Sequence, residues 1–575
     1  MMSWRVLGAV SFLLLFAAVL GLVVAFELDP AAQPLPRLPW RDGRLSAHDL
    51  ILLLMVLTTA GALFSLWFAR RSGWSRRAQI ALLIVTLLAG LNYFYARMGL
   101  FANEYVHRHD TFHYLLGPRY FAELGYTDLY ACTLAELSSA QYPDHYPVRD
   151  LRTYWVQTAA RIRVLQPCED NFAPDRRDRW RADLQLFTDH RNRLLGGILE
   201  DRGYNGPPFH AAVAGAIANR IPLTPATHNL VPLFDVAMLC AMVAGVVWVF
   251  GWPIGLLFGL FFFTNAADRW AIIGGSFLRY PWMAFLALSL AALHARRHAT
   301  AGSLMALSAL LNIFPVVFAA GIAARAAMRS WRERSLPTEY RRFFAAGLLT
   351  GVLGLGIGAL PGNGLENYAN WWHNIQLHNA EPFVGNGVGL KYPFTFRGGI
   401  TQAADQSTQV MRQMWFEQVR PWYWALAALF LGLAAWVAAR TDDDVEASGV
   451  LGFTLFFVLL GTVTYYFAAA AVMILALHRR ISEPIGAALV ALFFVTSLLA
   501  HMAFYHSLYH RFAFSTVLST GWAIWLLLVL LWLAWRGTGQ QATGQTNPTP
   551  NARGSNQGKR LNSKRQDRKF GQKST

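Results

Sequence analysis

Long, uninterrupted apolar blocks constrain this chain more than any other feature. Blocks such as 7–26, 50–69 and 512–535 are each about 20 residues long, enough for a helix to cross ~30 Å of hydrocarbon. Only 14% of the residues are charged, whereas a soluble protein has about a quarter. Because hydrocarbon offers no hydrogen-bond partners, the segments inside it must be helical. The sequence therefore predicts an all-α polytopic membrane protein with about 12–14 transmembrane helices.

The positive charges indicate how the chain is oriented. The formal net charge of +17 comes from a basic tail, 536–575, and from short loops between apolar blocks. Those loops carry Arg70, Arg71, Arg76, Arg77, Arg296, Arg297, Arg325, Arg329, Arg332, Arg334, Arg341, Arg342, Arg479 and Arg480. Basic loops stay on the cytoplasmic side, which places both termini in the cytoplasm. This pattern explains the charge without a nucleic-acid partner; membrane lipids are the expected surroundings.

The same map divides the chain into six regions. The first block, 7–26, has no small-residue cleavage site after it and is expected to stay as a helix rather than leave as a signal peptide. The regions are N-terminal helices 1–98, a large periplasmic loop 99–231, a central region 232–360 with short helices such as Trp252–Thr264 and Pro281–His294, a second periplasmic loop 361–420, C-terminal helices 421–535, and a disordered basic cytoplasmic tail 536–575.

The three cysteines fit this map. Cys132 and Cys168 lie in the large outer loop, and Cys240 lies in an apolar block. An oxidising exterior favours a bridge between the first two, and two free thiols are the alternative. Such a bridge would stabilise the fold by roughly 3–4 kcal/mol in the chain-entropy model.

Asp110 is the strongest candidate for chemistry. It follows the third apolar block closely, on the outer side, among histidines and aromatic residues. A carboxylate there could deprotonate the hydroxyl of an acceptor that reacts at headgroup depth. Burial among aromatic rings would raise its pKa, and the neighbouring His107, Arg108 and His109 would lower it.

Two other interpretations of this segment stay open. Asp110 could be the N-cap of a helical run over 112–124. Alternatively, His107, His109, Asp110 and His113 could hold a metal ion, although their spacing matches no standard zinc site.

The segment Asp110-Thr111-Phe112-His113-Tyr114 resembles the Asp-Glu-x-His-Phe motif of the protein O-mannosyltransferase branch of the GT-C glycosyltransferases. Thr111 departs from the motif where that branch has a second acid. The runs Gly274-Gly275-Ser276-Phe277-Leu278-Arg279-Tyr280-Pro281-Trp282, Asn312-Ile313-Phe314-Pro315, Trp371-Trp372-His373-Asn374 and Asn386-Gly387-Val388-Gly389-Leu390 look like later parts of bacterial members. The likeness covers 1–535 and implies a GT-C-like fold with catalytic roles for Asp110 and His113.

Further residues fit the needs of a polyprenyl-phosphate donor. Arg279, with Arg269 before it, is an isolated cation expected to need an anionic partner such as phosphate, and snorkelling to the interface is the alternative. Other outer-side candidates for the donor are Lys391, His378, Trp372 and Asn386. An interfacial amphipathic helix would explain Trp371 and Trp372 without any ligand.

The resemblance implies an inverting glycosyltransferase of a bacterial cell inner membrane. It would move a sugar from a polyprenyl-phosphate donor to a lipid, glycan or protein acceptor on the periplasmic face. No cofactor is expected to be required, and a metal is a secondary possibility. An envelope oligosaccharide ligase or polymerase is the first alternative, but the dominant loop here comes early in the chain. A transporter is the second, and it would need more ionisable residues inside the apolar blocks. Nothing in the sequence favours a non-catalytic scaffold.

Overall fold

The computed structural model describes residues 47–100, 105–168, 170–188, 192–268, 273–380, 383, 387–395, 406–506 and 511–543. The predicted first helix at 7–26 and most of the basic tail lie outside these residues.

The apolar blocks of the described chain form helices, as predicted. The N-terminal helices are α1 (Ala47–Ser72) and α2 (Arg76–Leu100). The central helices are α12 (Leu233–Phe250), α13 (Trp252–Thr264), α14 (Pro281–His294), α15 (His298–Leu311), α16 (Ala319–Glu333) and α17 (Thr338–Gly358), with a 3-10 turn at Phe314–Phe318. The C-terminal helices are α19 (Gln406–Arg440), α20 (Asp444–Leu455), α21 (Val472–Ala476), α22 (Pro484–His506) and α23 (Arg511–Thr543), with a π turn at Phe456–Leu460 and a 3-10 stretch at Thr464–Ala471.

Five helical stretches in the described residues are long and apolar enough to cross a membrane, namely Arg76–Phe94, Pro225–Phe250, Val410–Arg440, Pro484–Met502 and Phe514–Arg536. Shorter apolar helices accompany them, including Trp252–Thr264 and Pro281–His294, with the predicted bounds. The chain is thus an all-α membrane protein in outline. The count of 12–14 crossings stays a prediction.

Close helix packing depends on small residues. Gly321 of α16 lies against α20, and a Cβ on it would come within 2.0 Å of the Ala447 carbonyl oxygen. Van der Waals packing of this kind must hold helices together in a membrane, where lipid tails remove the hydrophobic drive between them.

The long segment between α2 and α12 forms short helices around a core of its own. Its helices are α3 (Arg108–Thr111), α4 (Gly117–Arg119), α5 (Phe121–Leu124), α6 (Leu129–Ala135), α7 (Ala159–Leu165), α8 (Pro174–Thr188), α9 (Asn192–Leu199), α10 (Pro208–Ala218) and α11 (Pro225–Leu230). An antiparallel pair, β1 (Pro147–Arg149) and β2 (Val156–Thr158), is a small departure from the all-α prediction.

The predicted bridge between Cys132 and Cys168 is confirmed, with Cα atoms 5.1 Å apart, and Cys240 is free and buried. The bridge ties α6 to the segment before α8. A core of Trp180, Phe187 and their neighbours fills the space beside it.

Two predicted boundaries are wrong. In the second loop, α18 (Glu366–Asn379) is followed by a 3-10 turn at Pro393–Thr395, and α19 then begins at Gln406 rather than at 421, with Pro421 inside it. At the other end α23 continues to Thr543, so 536–543 are helical rather than disordered. For α23 the reason is that extending an existing helix through polar neighbours costs little. α19 extends beyond its apolar block even though Pro421 removes one helical hydrogen bond.

Basic loops from separate parts of the chain meet around one cavity of about 530 Å³. It is lined by Arg296 and Arg297, by Arg325, Arg329 and Arg342, by Arg479, and by the acids Glu339, Asp442, Asp443 and Asp444. The loops that carry Arg296, Arg325 and Arg479 therefore lie at the same end of the helices. That this end is cytoplasmic, together with the loop at 70–77, stays a prediction.

Candidate active site

Asp110 lies in α3, at the start of the long segment between α2 and α12. The N-cap of α3 is His107, whose ring Nδ1 accepts the Asp110 N–H at 3.3 Å. The interpretation of Asp110 as an N-cap is wrong. Asp110 lies inside the first turn of α3, and its carboxylate pairs with Arg279 instead of accepting a backbone N–H at a helix start. The predicted helical run over 112–124 is broken into a π turn at Phe112–Leu116 and the short helices α4 and α5.

Asp110 and Arg279 form a buried ion pair. Arg279 Nε lies 3.0 Å from Asp110 Oδ2, and the two side chains are only 6% and 13% exposed. The guanidinium carbon lies 3.7 Å from the centre of the Tyr114 ring and 5.4 Å from that of Tyr465. Arg279 has an anionic partner, as predicted, and this partner is Asp110, the candidate base itself. Snorkelling is wrong, because the Arg279 side chain is buried, and binding of a phosphate stays a prediction.

Tertiary contacts hold Arg279 in place. Asp235, in the first turn of α12, accepts the backbone N–H groups of Arg279 at 3.0 Å and of Tyr280 at 3.2 Å. Leu278 has a φ of 54°, a left-handed conformation that is strained for a leucine, and its carbonyl oxygen lies 3.1 Å from His210 Nε2. A strained backbone that is fixed from two sides is typical of a position with a functional constraint.

The ion pair sets the protonation of the site. Burial by itself would raise the pKa of Asp110, but the charge of Arg279, assisted by His107, outweighs it and lowers the pKa below the usual range. The pKa of Arg279 is correspondingly raised. Asp110 is therefore a carboxylate and Arg279 a cation across the physiological range.

His113 does not act on Asp110 directly. Its Nε2 lies 2.7 Å from the Tyr130 hydroxyl, and among the described residues no hydrogen bond joins it to Asp110. Burial lowers the pKa of His113 to about 4, so its ring is neutral at neutral pH. It converges instead with His109 and Asp201, whose potential ligand atoms all lie within 4.8 Å of one another.

The second loop packs on the first through α18, which carries the run Trp371-Trp372-His373-Asn374. Trp371 donates its indole N–H to the Asn205 carbonyl at 3.2 Å, and the Asn374 side chain lies 2.8 Å from the Tyr154 hydroxyl. Trp372 is 56% exposed and does not join Asp110 and Arg279. The Trp pair belongs to helix α18, which favours the ligand-free explanation of these residues.

Among the described residues, no hydrogen bond or ion pair joins His378 or Lys391 to Asp110 or Arg279. The His378 ring contacts Tyr154, and burial lowers its pKa to about 4. Lys391 lies beside Phe383 and Tyr392, and burial lowers its pKa to about 8. Arg269 and Asn386 lie outside the described residues.

Sequence reasoning missed Tyr465, Asp235 and Asp201 as parts of this site, whereas Tyr114 belongs to the motif that contains Asp110. Asp235 carried a usable signal, because an acid at the start of an apolar helix needs a partner. Tyr465 and Asp201 had none, since each is far from Asp110 along the chain and belongs to no motif.

No protein-family model, no curated protein and no solved structure matches this chain.

Proposed function

We propose that this protein is a membrane glycosyltransferase of the GT-C type, acting on a polyprenyl-phosphate sugar at the outer face of the membrane. The observation that supports it best is the buried pair of Asp110 and Arg279, a base and a phosphate-binding cation 3.0 Å apart. The pair lies where the loop after α2 meets the loop before α14. Transfer from a polyprenyl phosphate needs both groups. It also needs an apolar surface for the polyprenyl chain, which the short apolar helices provide.

In the proposed reaction the acceptor hydroxyl loses its proton to the Asp110 carboxylate. Its oxygen forms a bond to the anomeric carbon of the donor while the bond from that carbon to the phosphate oxygen breaks. The electron pair leaves with the polyprenyl phosphate, whose negative charge Arg279 stabilises. A single displacement of this kind inverts the anomeric centre and needs no acid, because the phosphate is already a good leaving group.

The ion pair implies that the donor binds before the acceptor is deprotonated. While Arg279 is bound to Asp110, the lowered pKa makes the carboxylate a weak base. A donor phosphate that takes over Arg279 would remove that charge from Asp110. A buried carboxylate without its cation has a raised pKa, so donor binding would make Asp110 more basic when the acceptor is to be deprotonated.

The proposal is tested with Asp110→Asn, which keeps the shape of the side chain and removes the base. Parent and variant are purified and incubated with radiolabelled polyprenyl-phosphate sugars and envelope extract. We expect transfer by the variant to fall by about 10²–10⁴-fold, the usual contribution of a general base.

Asp178→Asn is the matched control, because this acid of the same loop is 78% exposed and far less constrained. Its transfer should equal that of the parent. Undiminished transfer by Asp110→Asn would remove Asp110 from the mechanism, and failure of the parent with every donor would refute the reaction class.

A further inference from the structure

His109, His113 and Asp201 form a cluster beside the ion pair that the proposed reaction does not use. His109 Nε2 lies 2.8 Å from Asp201 Oδ2, and the rings of His109 and His113 have centres 5.2 Å apart. The two histidines are four residues apart on consecutive turns, which puts their side chains on one face. Asp201 follows α9 and reaches them from a distant part of the chain.

We propose that these three side chains bind a divalent transition metal ion, with Zn²⁺ as the ion that fits best. Two imidazoles and one carboxylate make up the protein ligands of many open zinc sites, in which water or substrate occupies the fourth position. The ligand set differs from the one that the sequence indicated. His107 instead accepts the backbone N–H of Asp110, and the Asp110 carboxylate is paired with Arg279.

The distances allow an ion to enter with small movements. Ligand atoms about 2.0–2.1 Å from a tetrahedral zinc are roughly 3.3 Å from one another. The present separations run from 2.8 Å up to 4.8 Å, so each would change by no more than about 1.5 Å. The side chains of His109 and Asp201 are 29% and 47% exposed, which leaves them room to move and gives the ion a path from solvent.

His113 has the hydrogen-bond partner on its second ring nitrogen that a metal-binding histidine needs. The Tyr130 hydroxyl accepts the Gly203 N–H at 3.0 Å and lies 2.7 Å from Nε2 of His113. A proton on Nε2 directed at this hydroxyl would leave Nδ1 with its lone pair for the metal. Ligating histidines almost always have such a partner on the second ring nitrogen, which fixes the tautomer.

Metal binding does not depend on the proposed reaction. If both hold, the consequence is specific: His109 and His113 flank Asp110, so the ion would add positive charge where the donor phosphate is released. The open coordination position would suit a phosphate oxygen.

The test measures zinc directly. Tag-free, full-length protein in detergent is stripped with a chelator, equilibrated with Zn²⁺, desalted and analysed for metal per chain. We expect one Zn²⁺ per parent chain. His109→Ala and Asp201→Asn should each bind Zn²⁺ at least about tenfold more weakly, because each removes a direct ligand. Both positions are partly exposed, so these variants should fold; thermal unfolding of the purified proteins checks that they do.

His145→Ala is the control, since His145 is an exposed histidine of the same loop outside the cluster. It should bind zinc like the parent. Co²⁺ loaded into the parent should give the visible absorption of a tetrahedral site, and Asp201→Asn should lose it. Substoichiometric zinc on the parent, or equal zinc on the parent and both cluster variants, would show that His109 and Asp201 form only an ion pair. Because no sugar donor is present, this result is independent of the transfer assay.

Discussion

The burial of Arg279 and Asp110 has a large cost in desolvation free energy. Burying two charges costs several kcal/mol per ion, and replacing a buried pair by apolar side chains is often neutral or stabilising. Removing only one partner leaves an uncompensated charge and costs about 3–5 kcal/mol. Stability alone therefore does not explain the pair of Asp110 and Arg279. A site that must exchange one anion for another explains it well.

The pH dependence of sugar transfer tests whether Lys391 binds the donor phosphate. Burial lowers its pKa to about 8, so its ammonium loses its proton as the pH rises through that value. If the charged form binds donor phosphate, transfer by the parent should decline as the pH rises through about 8. Lys391→Arg stays charged over this range, so its transfer should remain level to higher pH. The measurement is the rate of sugar transfer from about pH 6 to about pH 10, a range that covers both charge states of Lys391.

Lys391→Met serves as the reference, because it removes the charge at every pH and should be slow throughout. An alkaline decline that is identical in Lys391→Arg and in the parent would mean that another group titrates there, and Lys391 would leave the proposed site.

At the scale of elements, the loop that carries Arg279 depends on two helices. Asp235 of α12 accepts two backbone N–H groups from it, and His210 of α10 contacts the carbonyl of Leu278. The sequence between α13 and α14 does not favour the left-handed conformation of Leu278 by itself. The strain is held by these contacts, which couple the packing of the helices to the position of the guanidinium.

Asp235→Asn should therefore weaken both the fold and the site. One of the two N–H groups would face an amide NH₂ instead of an oxygen, and a buried unsatisfied group costs about 1–3 kcal/mol. We expect a lower temperature of thermal unfolding in detergent and reduced transfer by the folded protein. Asp178→Asn, on the exposed side of α8, should change neither. Unaltered unfolding and transfer in Asp235→Asn would show that this carboxylate does not hold the loop.

At the scale of the whole molecule, α14 connects the candidate active site with the basic cavity. It begins directly after Arg279 and Tyr280, and it ends at His294, which lines the basic cavity. Its 14 residues span about 21 Å, less than the ~30 Å of a hydrocarbon core. If the basic loops are cytoplasmic, Arg279 lies within the membrane depth on the opposite side, where a lipid-borne phosphate could reach it.

Orientation is tested with reporters inserted at two exposed positions. One follows Ser139 in the first loop, and the other follows Ser335 between α16 and α17. We expect the first reporter to behave as periplasmic and the second as cytoplasmic, because basic loops remain inside. A cytoplasmic signal from position 139 would place the candidate base on the wrong side of the membrane and refute the proposed function.

The sequence alone determined the local properties of this protein. Apolar length indicated helices in a membrane, including the bounds of α13 and α14, and topology with redox chemistry indicated the Cys132–Cys168 bridge. The pairing of Asp110 with Arg279 and the meeting of His109 and His113 with Asp201 were decided only by the tertiary structure. The physical reason is that hydropathy and helix propensity act over neighbouring residues. Ion pairs and ligand sets, in contrast, depend on which distant segments the helices bring to the same place.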